Sequence, residues 1–161
     1  MSLVADMLQA MTDEVAANFQ LTIDCAAPDR LARFWAAALG YVLEPPPAGF
    51  ASWDDYWRNV GVPEEELGVG ADCIVDPAGH KPRIWFQQVP ETKTIKNRLH
   101  IDIYASGGRK LPLETRRQQV DAEAQRLAAL GATIVRVLHT EGLDHYGAAM
   151  QDPEGNEFDI A

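Results

Sequence analysis

Lys96-Asn97-Arg98-Leu99-His100-Ile101-Asp102-Ile103-Tyr104 is the stretch that decides how the chain is read. Its second half alternates, with Leu99, Ile101 and Ile103 on one side and His100, Asp102 and Tyr104 on the other. Alternation of large apolar and polar residues with a period of two marks a strand that buries one face. The polar side carries an imidazole, a carboxylate and a phenol in succession, which is rich chemistry for a plain solvated face. It reads as the lining of a cavity, with the apolar side packed under a helix, and His100 is the first candidate for a functional group.

The same text occurs earlier in the chain. Leu21-Thr22-Ile23-Asp24 is echoed by Leu99-His100-Ile101-Asp102, and Ala38-Leu39-Gly40 by Ala129-Leu130-Gly131. Asp76-Pro77-Ala78-Gly79 and Asp152-Pro153-Glu154-Gly155 repeat one turn chemistry, Asp first, Pro second and Gly fourth. Self-similarity of this kind is weighed before any single motif.

Outward from these echoes, a strand is predicted from Phe19 to Cys25. A helix follows from Pro28, whose missing N–H suits a first helical turn, to Leu39, with Leu31, Phe34, Trp35 and Ala38 as its buried stripe and Gly40 as its stop. Short strands are predicted at 41–44, 71–75 and 83–89, and the key strand at 97–104. A long helix over Leu113 to Leu130 turns Val120, Ala124, Leu127 and Ala128 inward, and strands at 133–138, 146–151 and 156–160 finish the chain. Pro45-Pro46-Pro47 opens an excursion up to Gly70 that holds Trp53, Tyr56, Trp57 and Glu64-Glu65-Glu66. It reads either as a pocket wall or as a surface loop packed by its own aromatics. Val4, Leu8, Met11 and Val15 give residues 1–17 a helical spacing, so an N-terminal helix or tail precedes one domain over 18–161.

The chain of 161 residues carries a formal charge of -10, which argues against a nucleic-acid partner, since phosphate binding needs clustered Lys and Arg, and disfavours anionic membrane surfaces. Nothing in it is long and apolar enough to span a bilayer, and Asp6 and Asp13 interrupt any leader-like run at the N-terminus. Cys25 and Cys73 stand alone in apolar stretches and read as buried free thiols, as expected of a cytoplasmic protein.

Strand, helix and three strands, written twice, predict an α+β fold of two βαβββ modules, about 18–90 and 96–161, curled as a mixed sheet around a central cavity. At this point the chain resembles the glyoxalase / bleomycin-resistance / dioxygenase group, the vicinal oxygen chelate superfamily, and within it the glyoxalase-like branch. The resemblance rests on Asp29-Arg30-Leu31-Ala32-Arg33-Phe34-Trp35 leading to Leu39-Gly40, on Lys96-Asn97-Arg98-Leu99-His100, and on Asp152-Pro153-Glu154-Gly155-Asn156-Glu157-Phe158. It implies four inward ligand positions, which fall on Gln20 or Thr22, on Trp85 or Gln87, on His100 and on Asp159. Imidazole and carboxylate are good ligands for Zn, Ni, Fe or Mn, an amide is tolerable and an indole is none, so this set is an incomplete metal cage. If a metal is held, the resemblance implies chelation of two neighbouring substrate oxygens, with Asp102 or Glu157 moving a proton.

The pocket is predicted to be lined by Gln20, Thr22, Trp85, Gln87, His100, Asp102, Tyr104 and Asp159. Met150, Trp53, Trp85 and Tyr104 are candidates for its apolar wall, with plain core as the other reading. The favoured function is a glyoxalase-like protein, a homodimer, that binds a small organic ligand in the sheet cavity without a tightly held metal. The alternatives are a metal-dependent lyase, isomerase or dioxygenase, and a non-catalytic assembly or regulatory module.

Overall fold

The internal echo in the sequence returns as a repeated topology. In the computed structural model, which describes residues 18–68 and 70–161, the first module comprises β1 (Leu21–Cys25), α1 (Pro28–Leu39), β2 (Val42–Leu43), α2 (Trp53–Val60), β3 (Cys73–Val75) and β4 (Ile84–Gln88). The second comprises β5 (Asp102–Ile103), α3 (Leu113–Ala129), β6 (Thr133–Leu138), β7 (Gly147–Gln151) and β8 (Glu157–Ile160). Each module forms its own four-stranded mixed sheet, in the orders β1-β4-β3-β2 and β5-β8-β7-β6. The parallel pairs correspond: Asp24 stands opposite Gln87 in the first sheet, and Asp102 opposite Asp159 in the second. The helix expected over residues 1–17 lies outside the described residues.

One face of each sheet is apolar and packs under its helix. Ile84 and Phe86 of β4 lie beneath Leu31, Phe34 and Trp35 of α1, while Met150, Phe158 and Ile160 lie beneath Val120, Ala124 and Leu127 of α3, and all of these are buried. Burying a Val, Leu, Ile, Phe or Met side chain stabilises by about 1.5 to 3 kcal/mol. The two halves share this core, because Trp35 meets the Phe158 ring edge-on at 5.1 Å. The other face of each sheet carries polar side chains and is open.

A turn of the second module locks the start of α1. The Asp152 carboxyl group is only 3 % exposed, and accepts hydrogen bonds from Trp35 Nε1 (3.1 Å), the Glu154 and Asn156 N–H groups (2.9 and 3.0 Å) and Asn156 Nδ2 (2.9 Å). Glu154 in turn accepts from the Ala26 and Ala27 N–H groups, both at 2.7 Å, just before the first helical turn. Gly155 closes the turn, donating to Asp152 O at a φ of 87°, a conformation that costs glycine nothing.

Four expectations are corrected here. The key strand is paired only at Asp102 and Ile103, because upstream of Ile101 the Asn97 N–H donates to the Glu157 side chain (3.0 Å) instead of a neighbouring strand. Leu99 is consequently 81 % exposed rather than under a helix, and Tyr104 on the open side is 83 % exposed. Met150, expected in the pocket wall, is fully buried, since it sits on the helix face of β7. Among the described residues no helix is long and apolar enough to cross a membrane.

Replacing Asp152 with Ala strands four donors in a site closed to water, and should lower the unfolding free energy by about 3 kcal/mol or more; Asp152→Asn should fall between the two, as measured by urea unfolding. Glu157 gives a pH signature. The Asn97 N–H and then the Lys93 ammonium, 3.0 Å away, hold its carboxyl down at about 2. A folded-state value below the ordinary one means stability that is present above about pH 4.5 and lost as the pH falls toward 2. The Tm gap between the wild-type chain and Glu157→Gln should therefore be widest above pH 5 and close below pH 3.

Candidate functional site

Register places the chemistry. Asp102 on β5 and Asp159 on β8 are strand partners and so share the open face of the second sheet, and His100, just upstream of the paired residues, brings its ring to them. The three side chains converge. His100 Nε2 is 3.3 Å from Asp102 Oδ1 and 3.7 Å from Asp159 Oδ2, and one ligand atom from each of the three lies within 4.8 Å of the others. All three are partly exposed, so the group is reachable from solvent.

His100 also belongs to a second feature. A groove of about 1200 Å³ runs between the two modules, bordered by β1 on one side and by residues 97–101 on the other. Its floor is apolar, with Leu21, Ile23, Cys25, Trp35 and Ile101, and its rim is charged, with Arg30, Lys93 and Arg98 set against Asp24, Glu91 and Glu154. Mostly apolar walls with a few convergent polar groups are what small-molecule sites share.

The remaining sequence candidates divide. Thr22, on the open face of the first sheet, lines the groove, while its strand partner Trp85 spends its Nε1 on Asp72 at 3.0 Å. Gln87 shares that face opposite Asp24. Gln20 does not join the His100 group: its Oε1 accepts from Arg83 (2.8 Å), and Arg83 is itself forked onto Glu44 (2.6 Å) and Cys73 Sγ (2.7 Å). Tyr104 stands out in solvent, and Met150 in the core. Glu157 is a poor proton acceptor, because its contacts keep it ionised down to about pH 2. The two cysteines are free and buried, and burial pushes the Cys25 thiol up to about 12. The sequence offers Asp102 for moving a proton rather than as a third donor: its parity with His100 is plain, but its meeting with Asp159 comes from the parallel pairing of β5 with β8. Sequence reasoning missed the Arg30, Lys93 and Arg98 rim, which comes from loops and a helix start whose positions no periodicity encodes.

As a donor set, one imidazole and two carboxylates suit Zn, Ni, Fe or Mn better than the set expected from the sequence, in which an amide or indole filled the other places.

The chain is similar to known proteins over nearly its whole length. The family model described as "Glyoxalase-like domain" matches residues 20–161. No curated protein matches it. Among solved structures, a glyoxalase/bleomycin resistance protein/dioxygenase family enzyme from Burkholderia phytofirmans PsJN aligns with a TM-score of 0.54 at 18 % identity, covering 89 % of this chain and 97 % of that one. The fosfomycin resistance protein FosX from Mesorhizobium loti aligns with a TM-score of 0.52 at 12 % identity, covering 91 % of each chain. At such identities the likeness speaks for the fold, which is the paired-module fold of the vicinal oxygen chelate superfamily. With the family's own domain spanning all but the first residues, the chain belongs to the glyoxalase-like domain family.

Proposed function

We propose that the chain binds a small organic molecule in the groove between its modules, with a polar end of the ligand at His100, Asp102 and Asp159. One observation carries the reading: His100 is at once part of the groove wall and part of the three-donor group. The apolar floor supplies contact area for the body of the ligand, and Thr22 and Arg98 supply further hydrogen bonds from the two sides. His100 is the group able to take or give a proton there, with the Asp102 carboxylate beside its Nε2 to orient the ring.

A second reading, metal-assisted lyase, isomerase or dioxygenase chemistry, is favoured by the convergence of three donors within 4.8 Å. His100, Asp102 and Asp159 would hold the ion, leaving its other positions to ligand oxygens and water. Bound there, a divalent ion supplies Lewis acidity toward two neighbouring oxygens of the ligand.

The homodimer belongs to this proposal. Strand β6 is the outer strand of its sheet and keeps Ile134, Val135 and Val137 substantially exposed, a surface suited to a second copy. The buried free thiols support a reducing, cytoplasmic setting.

Thermal unfolding separates the readings. Screening small acids, ketones and aromatics should find ligands that raise the Tm of the wild-type chain and not of His100→Ala; uniform silence, or equal shifts in both, overturns the binding proposal. A divalent ion at a hundred times its Kd stabilises by about 2.7 kcal/mol, roughly 5 to 10 °C at this chain length. Zn, Ni or Mn should give such a rise in wild type and lose it in Asp159→Asn if the metal reading holds, and the same rise in both discards it. Light scattering should give twice 17.7 kDa for the wild-type chain, and a Val135→Lys/Val137→Lys variant should return to the single-chain mass.

A further inference from the structure

The excursion between β2 and β3 builds a feature the groove does not use. α2 carries three aromatic residues and buries none of its side chains in the core. They pack on one another instead: Trp53 and Trp57, one turn apart, stack at 5.6 Å with planes 25° apart, and Tyr56 meets Trp53 edge-on at 5.8 Å. Phe50 closes the cluster against Tyr56 at 5.3 Å, and Trp53 Nε1 donates to Glu44 O at 2.9 Å, which fixes the indole. A set of large aromatics ordered at the surface without serving the core marks a recognition surface.

These indoles wall a pocket of about 280 Å³ whose polar lining is entirely acidic: Asp54, Glu66 and Asp72. Two of the carboxylates are held in place, Asp54 by the Gly68 N–H (3.2 Å) and Asp72 by Trp85 Nε1 (3.0 Å). No Lys, Arg or His lines the pocket among the described residues. The one cation of α2, Arg58, is engaged elsewhere by Glu64 (2.7 Å) and Asp55 (3.3 Å). A bare metal ion fits poorly, because among the described residues the only cluster of three donors close enough to share one is that of His100, Asp102 and Asp159. Indole faces with nearby carboxylates instead match a diffuse positive charge on carbon-bearing nitrogen, which the aromatic quadrupole attracts and the acids neutralise.

We propose that this pocket binds a small organic ammonium ion, held against the Trp53–Trp57 indoles and balanced by Asp54, Glu66 and Asp72. It shares no lining residue with the groove, so it stands or falls apart from the function proposed for His100.

The test uses choline as the probe and 3,3-dimethylbutanol as its uncharged isostere, followed by ligand-observed NMR on the full chain. Choline should bind saturably, and the alcohol at least about fivefold more weakly. Trp57→Leu and Asp54→Asn/Glu66→Gln should each weaken choline by about fivefold or more, while His100→Ala leaves it unchanged. All four changed residues are at least partly exposed, and far-ultraviolet circular dichroism verifies that the variants fold; if Trp57→Leu does not fold, the charge variant decides. No saturable choline binding in the wild-type chain, equal binding of the alcohol, or full affinity in the folded variants overturns the proposal, and loss of choline binding in His100→Ala moves the site to the groove and overturns it as well.

Discussion

A buried carboxyl group with four donors around it holds this architecture together. Asp152 sits on a turn of the second module, yet one of its partners is Trp35 Nε1, on the helix of the first. A polar group withdrawn from water is costly unless its hydrogen bonds are made, and here they are made across the seam between the modules. The neighbouring Glu154 completes the lock by accepting from the two backbone N–H groups that precede α1. Negative charge at a helix start is favourable for the same reason that free N–H groups point there. The Asp-Pro-Glu-Gly-Asn motif is therefore less a feature of a turn than the device that fixes one module against the other. The groove exists because two separately formed sheets are held at this spacing.

Sheet register does the rest. A strand turns alternate side chains to opposite faces, so the pairing of Asp102 with Asp159 commits both carboxylates to the open face, and His100 joins them two residues away. A slip of one residue would bring Ile103 to that face and turn the Asp102 carboxylate away from Asp159. The apolar contacts under α3 oppose such a slip. The two carboxylates are thus aligned by apolar residues on the opposite face of the sheet.

Much of this was legible in the sequence where the signal is local and periodic. α1 begins at Pro28 and ends at Leu39, as proline, stripe and glycine indicate, and β6 spans Thr133–Leu138 as its residues suggest. The duplicated order of elements emerged from the echoes in the text. What did not emerge depended on contacts distant in sequence. Asn97 gives its N–H to the Glu157 side chain, 60 residues on, and this takes residues 97–100 out of the sheet despite a good strand pattern. Met150 looked available for a pocket because a lone apolar residue does not reveal which face of β7 it occupies. Gln20 looked free because nothing near it in the chain foretells Arg83, 63 residues away. Asp102 illustrates the opposite case: its parity with His100 was plain, but its neighbour Asp159 comes from the parallel pairing of β5 with β8, which sequence spacing does not give.

The duplication also explains why the chemistry lies on one side. By the repeat and the strand register, His100, Asp102 and Asp159 correspond to Thr22, Asp24 and Gln87 in the first module. The two parallel pairs are therefore equivalent, while Thr22 lies within β1 and His100 just outside β5. One set carries an imidazole and two carboxylates; the other carries a hydroxyl, a carboxylate and an amide. Elsewhere on its open face the first module is tied up in neutralised contacts, with Arg83 bound to Glu44 and Gln20. Its excursion supplies the aromatic pocket instead. A duplicated scaffold has thus been filled asymmetrically: the second half presents the imidazole and two carboxylates, and the first contributes Thr22, one wall of the groove and the surface around α2. Because Asp24–Gln87 and Asp102–Asp159 are equivalent parallel pairs, the asymmetry between these pairs lies in side-chain chemistry rather than in the ladders that carry them.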